Sequence, residues 1–452
     1  MKYLNKTIEY GLYLLVFLLP IQTRWIIKMG ELNGGPWEYG TYGLYATDIL
    51  LLVLLVLFII VTARDRRERS SLTDSPRRCE ARNGRVIWRF VEGLILISAV
   101  SALFATSRLL ALYKFGWLIL GIGLFWLIVR ANYNRVKLIY AILTGVFLQA
   151  VLGIWQFLTQ SSFANKWLGL ALHNGADLGT SVIEAVGADG IGERWLRSYG
   201  GLDHPNILGG MLVAGIILII SQIIIYEKSF RATNKIKKTI LWLFLVVFTA
   251  GLFFSFSRSA WLGLAVGLAV MVILAVVDRN LKLQKGLAEI ILVMGVLLFI
   301  LFNQYQNLIT SRLGSEGRLE EKSTSERLVS YQESWQLTKN NWATGVGLGN
   351  YTLVLSRQMP GRESFYYQPT HNVFLLVWSE IGIFGLLFFI GLIIYALMGL
   401  FRRYAFSDDG RMAILIALIV IMFFDHWLFS LHFGVLFFWL VLGLVMNREE
   451  EK

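Results

Sequence analysis

The chain has 452 residues, of which 56% are hydrophobic and only 16% charged. No soluble fold of that length buries so much apolar surface, so the composition excludes a soluble protein and predicts a polytopic membrane protein. The formal net charge of +12 reads first as a topology signal, and the single cysteine, Cys79, excludes an intrachain disulfide and a cysteine-built metal site.

Apolar runs fall at 7–20, 47–63, 90–106, 112–129, 138–158, 206–226, 239–255, 260–277, 286–302, 373–400, 412–425 and 433–446. They predict an all-α fold of about twelve transmembrane helices, the first and last two short. Met1-Lys2-Tyr3-Leu4-Asn5-Lys6 before the first run resembles a signal peptide. No small-x-small cleavage site precedes Pro20, so the run reads as a retained helix.

Every second short loop is basic. Arg64, Arg66, Arg67, Arg69, Arg77, Arg78, Arg82, Arg85 and Arg89 come first. Arg130, Arg135 and Lys137 follow, then Lys228, Arg231, Lys235, Lys237 and Lys238. Arg279, Lys282 and Lys285 are next, and Arg402, Arg403 and Arg411 complete the series. The positive-inside rule puts these loops and both termini in the cytoplasm. The outer side then receives 21–46, 159–205 and 303–371, short turns near 107–111, 256–259 and 426–432, and all five histidines. No Walker P-loop or Rossmann fingerprint occurs in the cytoplasmic loops. Chemistry is expected outside, without nucleotide, and nothing points to nucleic acid as a partner.

The loop 303–371, between spans nine and ten, is the largest soluble piece of what reads as one membrane domain over 1–452. Within it Ser325–Leu337 predicts an amphipathic helix with Leu328, Tyr331, Trp335 and Leu337 on its apolar side and Ser323 or Ser325 as cap. It either lies on the membrane, roofs a cavity or simply packs the outer domain. The glycines of Gly345-Val346-Gly347-Leu348-Gly349 break it.

Three places carry chemistry. Arg197 precedes Asp203-His204-Pro205-Asn206 at the mouth of the sixth span, where Asp203 or Asn206 is a candidate cap. His204 is either a base oriented by Asp203 or part of a structural turn. Arg258 sits in the tight turn Ser255-Phe256-Ser257-Arg258-Ser259, near membrane depth. It is either functional or an arginine snorkelling to headgroups. His371, in Thr370-His371-Asn372 before the tenth span, is a general base or a helix cap. No carboxylate pair suited to a divalent metal is evident outside, and Asp408-Asp409 lies on the cytoplasmic side. Arginines and histidines without a metal suit an anionic leaving group.

This pattern resembles the O-antigen ligase and polymerase superfamily of bacterial envelope glycosyltransferases. His371-Asn372 with Gly382-Ile383-Phe384-Gly385 is similar to the ligase-type histidine motif. Phe256-Ser257-Arg258-Ser259-Ala260-Trp261-Leu262-Gly263 is similar to the Ser-Arg turn, and Arg197 through Pro205-Asn206 to the Arg-then-Pro-Asn segment. The resemblance covers about 190–400. It implies a GT-C fold in the bacterial inner membrane, with an inverting, metal-independent and cofactor-free reaction on the outer face. The donor would be an undecaprenyl-diphosphate-linked glycan and the acceptor the lipid A-core of lipopolysaccharide. His371 would be the base, and Arg197 and Arg258 would hold the diphosphate, with Asn372, His204 and Arg327 behind them. A polymerase or a protein O-oligosaccharyltransferase is the alternative within the superfamily. A lipid-linked glycan transporter or flippase is the alternative from another class. Against it, the two halves do not resemble one another, and polar residues gather at the outer ends of spans.

Overall fold

The computed structural model describes residues 2–70, 80–177, 179–186, 192–228, 235–314, 318–402 and 410–447. Cys79, Arg77, Arg78, Arg231, Arg403, Asp408 and Asp409 lie outside them.

Helix α1 (Lys2–Leu18) leads into a small β-layer of β1 (Arg24–Lys28), β2 (Glu31–Leu32), β3 (Gly35–Pro36) and β4 (Tyr42–Tyr45). Strand β1 pairs antiparallel with β4, and β2 with β3. Helices α2 (Ala46–Ser70), α3 (Glu80–Leu103), α4 (Arg108–Arg130) and α5 (Arg135–Thr159) follow. A hairpin of β5 (Val182–Val186) and β6 (Gly192–Leu196) then leads to α6 (Pro205–Lys228), α7 (Lys235–Ser255), α8 (Arg258–Val277) and α9 (Leu281–Gln304). The large loop contains α10 (Gln306–Leu313), α11 (Arg318–Asn340) and α12 (Tyr351–Gln358). The chain closes with α13 (Val373–Arg402), α14 (Arg411–Met422), α15 (Trp427–Ser430) and α16 (His432–Met446).

The protein is thus an all-α polytopic membrane protein. Each of the twelve apolar runs coincides with a helix. Among the described residues, nine helices are long and apolar enough to cross a membrane. The other three, α1, α14 and α16, have 17, 12 and 15 residues, short of the roughly 20 that a span needs. The β-hairpins were not expected from the sequence.

Helix α6 is the axis. Its apolar stretch is 100% enclosed by neighbours, against 22% for α9. Small residues make the enclosure possible. A Cβ at Gly209 would lie 2.9 Å from the Ala260 side chain of α8, and one at Gly210 only 2.5 Å from the Trp427 ring of α15. The mouth of α6 is thereby held against the starts of α8 and α15.

Helix α13 is broken at Gly382, where φ is 73° and ψ 179°, a conformation open essentially to glycine alone. The freed backbone groups pair with the segment after α11. Ile383 N–H donates to Trp342 O, Val346 N–H to Ser379 O and Gly347 N–H to Glu380 O, each at 2.9 Å. A Cβ at Gly382 would meet Ala343 O at 2.0 Å.

Helix α11 exists but differs from expectation in two ways. It begins at Arg318, so Ser323 and Ser325 lie inside it and neither is a cap. Its buried face is Ser334, Leu337 and Thr338, while Leu328 and Trp335 are exposed. Ser334 Oγ and Thr338 Oγ1 lie 3.0 and 2.7 Å from Ser379 Oγ of α13. Small polar residues make this close helix contact beside the buried Leu337, and Leu328 and Trp335 are left outside.

Candidate functional site

The turn between α7 and α8 is the first part of the site. Phe256 takes a left-handed φ of 46° while fully buried, and Ser257 caps α8 by accepting from Ala260 N–H. Arg258 is the first residue of α8 and half-buried. The turn is clasped by two buried guanidiniums. Arg197 Nε donates to Ser255 O at 2.8 Å and Arg312 Nε to Phe256 O at 3.1 Å. The strand leading to α6 runs alongside, with Ser198 N–H donating to Phe254 O at 3.0 Å.

Arg197 then carries the connection inward. Its Nη1 donates to Ser181 Oγ at 2.6 Å and its Nη2 to Asn206 Oδ1 at 2.8 Å. The Asn206 amide donates to Asp425 Oδ2 at 2.8 Å, and the other oxygen of Asp425 accepts from His426 N–H at 2.8 Å. His426 Nδ1 lies 2.7 Å from Ser430 Oγ, whose hydroxyl donates to His426 O at 3.1 Å.

His371 faces this group. Its ring centroid is 5.2 Å from that of His426. Its Nδ1 is buried and has no hydrogen-bond partner among the described residues. Asn372 starts α13 by accepting from Leu375 N–H at 3.1 Å, and its amide reaches Phe423 O at 3.4 Å. The Tyr331 hydroxyl of α11 lies between His371 O and Phe423 O, at 3.4 and 3.3 Å. Arg327, one turn earlier on α11, is near enough for its charge to oppose protonation of His371.

His204 is the cap of α6. It directly precedes Pro205 at the first helical position, and its Nδ1 accepts from Asn206 N–H at 3.1 Å. Asp203 and Asn206, the caps expected from sequence, are used elsewhere: Asn206 holds Arg197 and Asp425, and Asp203 lines a cavity. The remaining histidines serve packing. His173 stacks on Tyr199 at 3.8 Å. His432 bonds Asp48 at 2.6 Å and stacks on Tyr45 at 3.7 Å.

Burial disfavours imidazolium throughout the group. It pushes His204 and His426 down to about 3 and holds His371 below the ordinary 6.5. Burial also opposes ionisation of Asp425. The surrounding imidazoles and the Asn206 amide more than offset it, so this carboxyl titrates below the ordinary aspartate value. The result is a set of neutral bases around a carboxylate.

The structure therefore joins His371, Asn372, His204 and Arg197 in one frame, with Arg258 at one end and Arg327 above. Asp425, His426 and Arg312 were missed. In sequence Asp425-His426 reads as a short turn, and only the packing of α14 and α15 against α6 turns it inward. The donor atoms of His371, Asp425 and His426 all lie within 4.8 Å of one another, a group with one carboxylate rather than the carboxylate pair sought in the sequence. Two imidazoles and a carboxylate are a donor set that divalent metals accept.

No curated protein matches the chain. Residues 243–390 match the family model described as O-Antigen ligase. The match takes in the Arg258 turn, α11, the glycine run and His371, and leaves Arg197, Asn206 and the Asp425-His426 pair to the flanking segments. Nine candidate spans, the arginine-clasped turn and the histidine at the start of α13 accord with that match, and over those residues, about a third of the chain, the protein is similar to the O-antigen ligase family.

Proposed function

We propose that the protein is an O-antigen ligase-like glycosyltransferase of GT-C type. It moves a glycan from undecaprenyl diphosphate to an acceptor sugar, the lipid A-core in lipopolysaccharide synthesis, on the outer face of the bacterial inner membrane. The observation that carries this reading is the unbroken path of hydrogen bonds from the Arg258 turn through Arg197, Asn206 and Asp425 to His426, with His371 opposite. It ties a cationic site for a diphosphate to neutral imidazole bases.

In this reading the acceptor hydroxyl oxygen attacks the anomeric carbon from the face opposite the diphosphate, which inverts the configuration. The bond between that carbon and the phosphate oxygen breaks, and its electron pair leaves with the diphosphate. Arg258 receives the growing negative charge through its planar fork. The hydroxyl proton passes to His371, and the Asp425 carboxylate stabilises the imidazolium that results. Arg197 and Asn206 hold the turn and the carboxylate in register. A polymerase or a protein O-oligosaccharyltransferase would run the same step and differ only in acceptor.

The test is incubation of purified protein with lipid-linked glycan and candidate acceptors, without nucleotide or added metal. Glycan joined to acceptor with inverted linkage is expected. Glycolipid crossing a vesicle membrane with no new linkage would replace the transferase by a carrier.

Two further results are expected. Activity should survive chelation by EDTA, because both Asp425 oxygens already accept hydrogen bonds and arginines neutralise the leaving group. Loss on chelation, restored by magnesium or manganese, would make His371, Asp425 and His426 metal ligands instead. For topology, a cysteine at Gly175 in a Cys79-free protein should label from outside, and one at Ser70 only after permeabilisation. Gly317, which lies outside the described residues, is expected from sequence to behave like Gly175. Outside labelling at Ser70 would reverse the orientation.

A further inference from the structure

The loops beside the His371–His426 pair enclose a cavity with about 470 Å³ of water-accessible space. That is within the roughly 300–1,000 Å³ of small-ligand sites. Three separate stretches wall it. The β-layer gives Arg24, Glu38 and Tyr39, the approach to α6 gives Asp203, and the segment before α13 gives Phe365 and Gln368.

These walls have a consistent chemistry. Asp203 is exposed to water and opens into this cavity. No hydrogen bond from a described residue reaches its carboxylate. Arg24 lies 3.9 Å from Glu38 and donates to the Tyr45 hydroxyl at 3.3 Å. Two carboxyl groups thus stand against one guanidinium. Desolvation by the surrounding protein and the neighbouring Glu38 raise the pKa of Asp203 to about 7, so it is an anion above that pH and a neutral hydroxyl donor below it. The Phe365 ring is 52% exposed and presents an apolar face beside these polar groups. Carboxylates accept from sugar hydroxyls, a guanidinium and an amide donate to them, and an aromatic ring covers the C–H face of a pyranose.

The cavity also adjoins the reacting centre. Tyr39 lines it and packs edge-on against His426, with ring centroids 6.0 Å apart. Asp203 directly precedes His204, the cap that holds Asn206.

We propose that this cavity is the acceptor-glycan site and that it takes a neutral or amine-bearing sugar in preference to a phosphorylated one. A phosphate placed here would face Glu38 and Asp203, whereas an amine would pair with them. The two substrates are then sorted by charge. The anionic donor goes to the arginine turn, and the acceptor to a cavity with an acidic excess once Asp203 ionises above about pH 7. The assignment of this sugar as acceptor rests on the transferase reading; the binding itself does not.

The experiment is calorimetric titration of the full-length protein in detergent with three probes. They are the β-1,4-linked glucosamine disaccharide, its N-acetylated form and the 6-phosphate of that form. The first two should bind, and the phosphate about tenfold more weakly or less. Asp203→Asn, nearly isosteric, and Glu38→Gln, at an exposed position, should each weaken the amine-bearing sugar about tenfold and narrow the gap to the phosphate. Phe365→Ala should weaken all three. Binding of none at millimolar concentration, tightest binding of the phosphate, or unchanged affinity in the three variants would each overturn the proposal. Transfer assays separate it from the reading beneath it. Sugar binding without transfer from any lipid-linked donor refutes the transferase alone. Transfer with an acceptor KM unchanged in these variants refutes the cavity alone.

Discussion

Replacing His371 by Ala is expected to cut the single-turnover rate of glycan transfer by roughly 100- to 10,000-fold while leaving donor affinity nearly unchanged. The imidazole Nδ1 has no hydrogen-bond partner among the described residues, and the hydrogen bond recorded at this residue uses its backbone oxygen. Truncation therefore orphans no buried group, and the loss falls on chemistry rather than on folding. The pH profile carries the same assignment. Burial lowers the His371 pKa below 6.5, so the neutral base persists at pH 7 and the rate falls only as acidification carries the solution below that lowered value. His371→Ala should abolish this acid limb. Normal turnover in the variant removes the base assignment. Lost donor binding in it, with both arginine variants binding normally, makes His371 a phosphate ligand.

Arg258→Ala and Arg197→Ala should both weaken donor binding and turnover, for different reasons. Arg258 is half-buried at the start of α8. Losing its charge-assisted bonds to a diphosphate should cost roughly 10- to 100-fold in donor affinity, with little change in melting temperature. Arg258→Lys should rescue poorly, since an ammonium is a point charge where a planar fork is needed. Arg197 is 3% exposed, and its loss strips donors from Ser255 O, Ser181 Oγ and Asn206 Oδ1. Each buried acceptor left without a donor costs about 1–3 kcal/mol. The Arg197 variant should therefore melt lower and lose donor affinity through displacement of the turn. Parent-like donor affinity in Arg258→Ala, or parent-like melting in Arg197→Ala, would undo this division.

Much of the frame is legible in the sequence because a bilayer leaves few ways to satisfy a backbone. Twelve apolar runs gave twelve helices, and the Arg197, Arg258 and His371 segments stand at helix ends as expected. Where the reading failed, the reason is physical. On α11, Leu328 and Trp335 mark an apolar stripe, but of that stripe only Leu337 faces the protein interior fully, together with Ser334 and Thr338, whose hydroxyls meet Ser379. His204 looked like half of an Asp-His pair, yet its ring serves the backbone of its own helix. Asp425 and His426 carry no pattern at all in the chain. Their role comes from a contact with Asn206, 219 positions earlier, which no local periodicity encodes.

The break in α13 ties the helix to the large loop. The groups freed around Gly382 find partners in residues 342–347, which precede the helix and belong to a loop that folds in water. In hydrocarbon an unpaired backbone group costs several kcal/mol, so without that loop a straight rod, which satisfies itself, is the lower state. The bend in α13 therefore depends on that loop being docked. The docking that bends the helix also brings Tyr331 over His371. The site thus depends on the largest loop, and a chain cut within that loop is expected to keep its spans and lose its site.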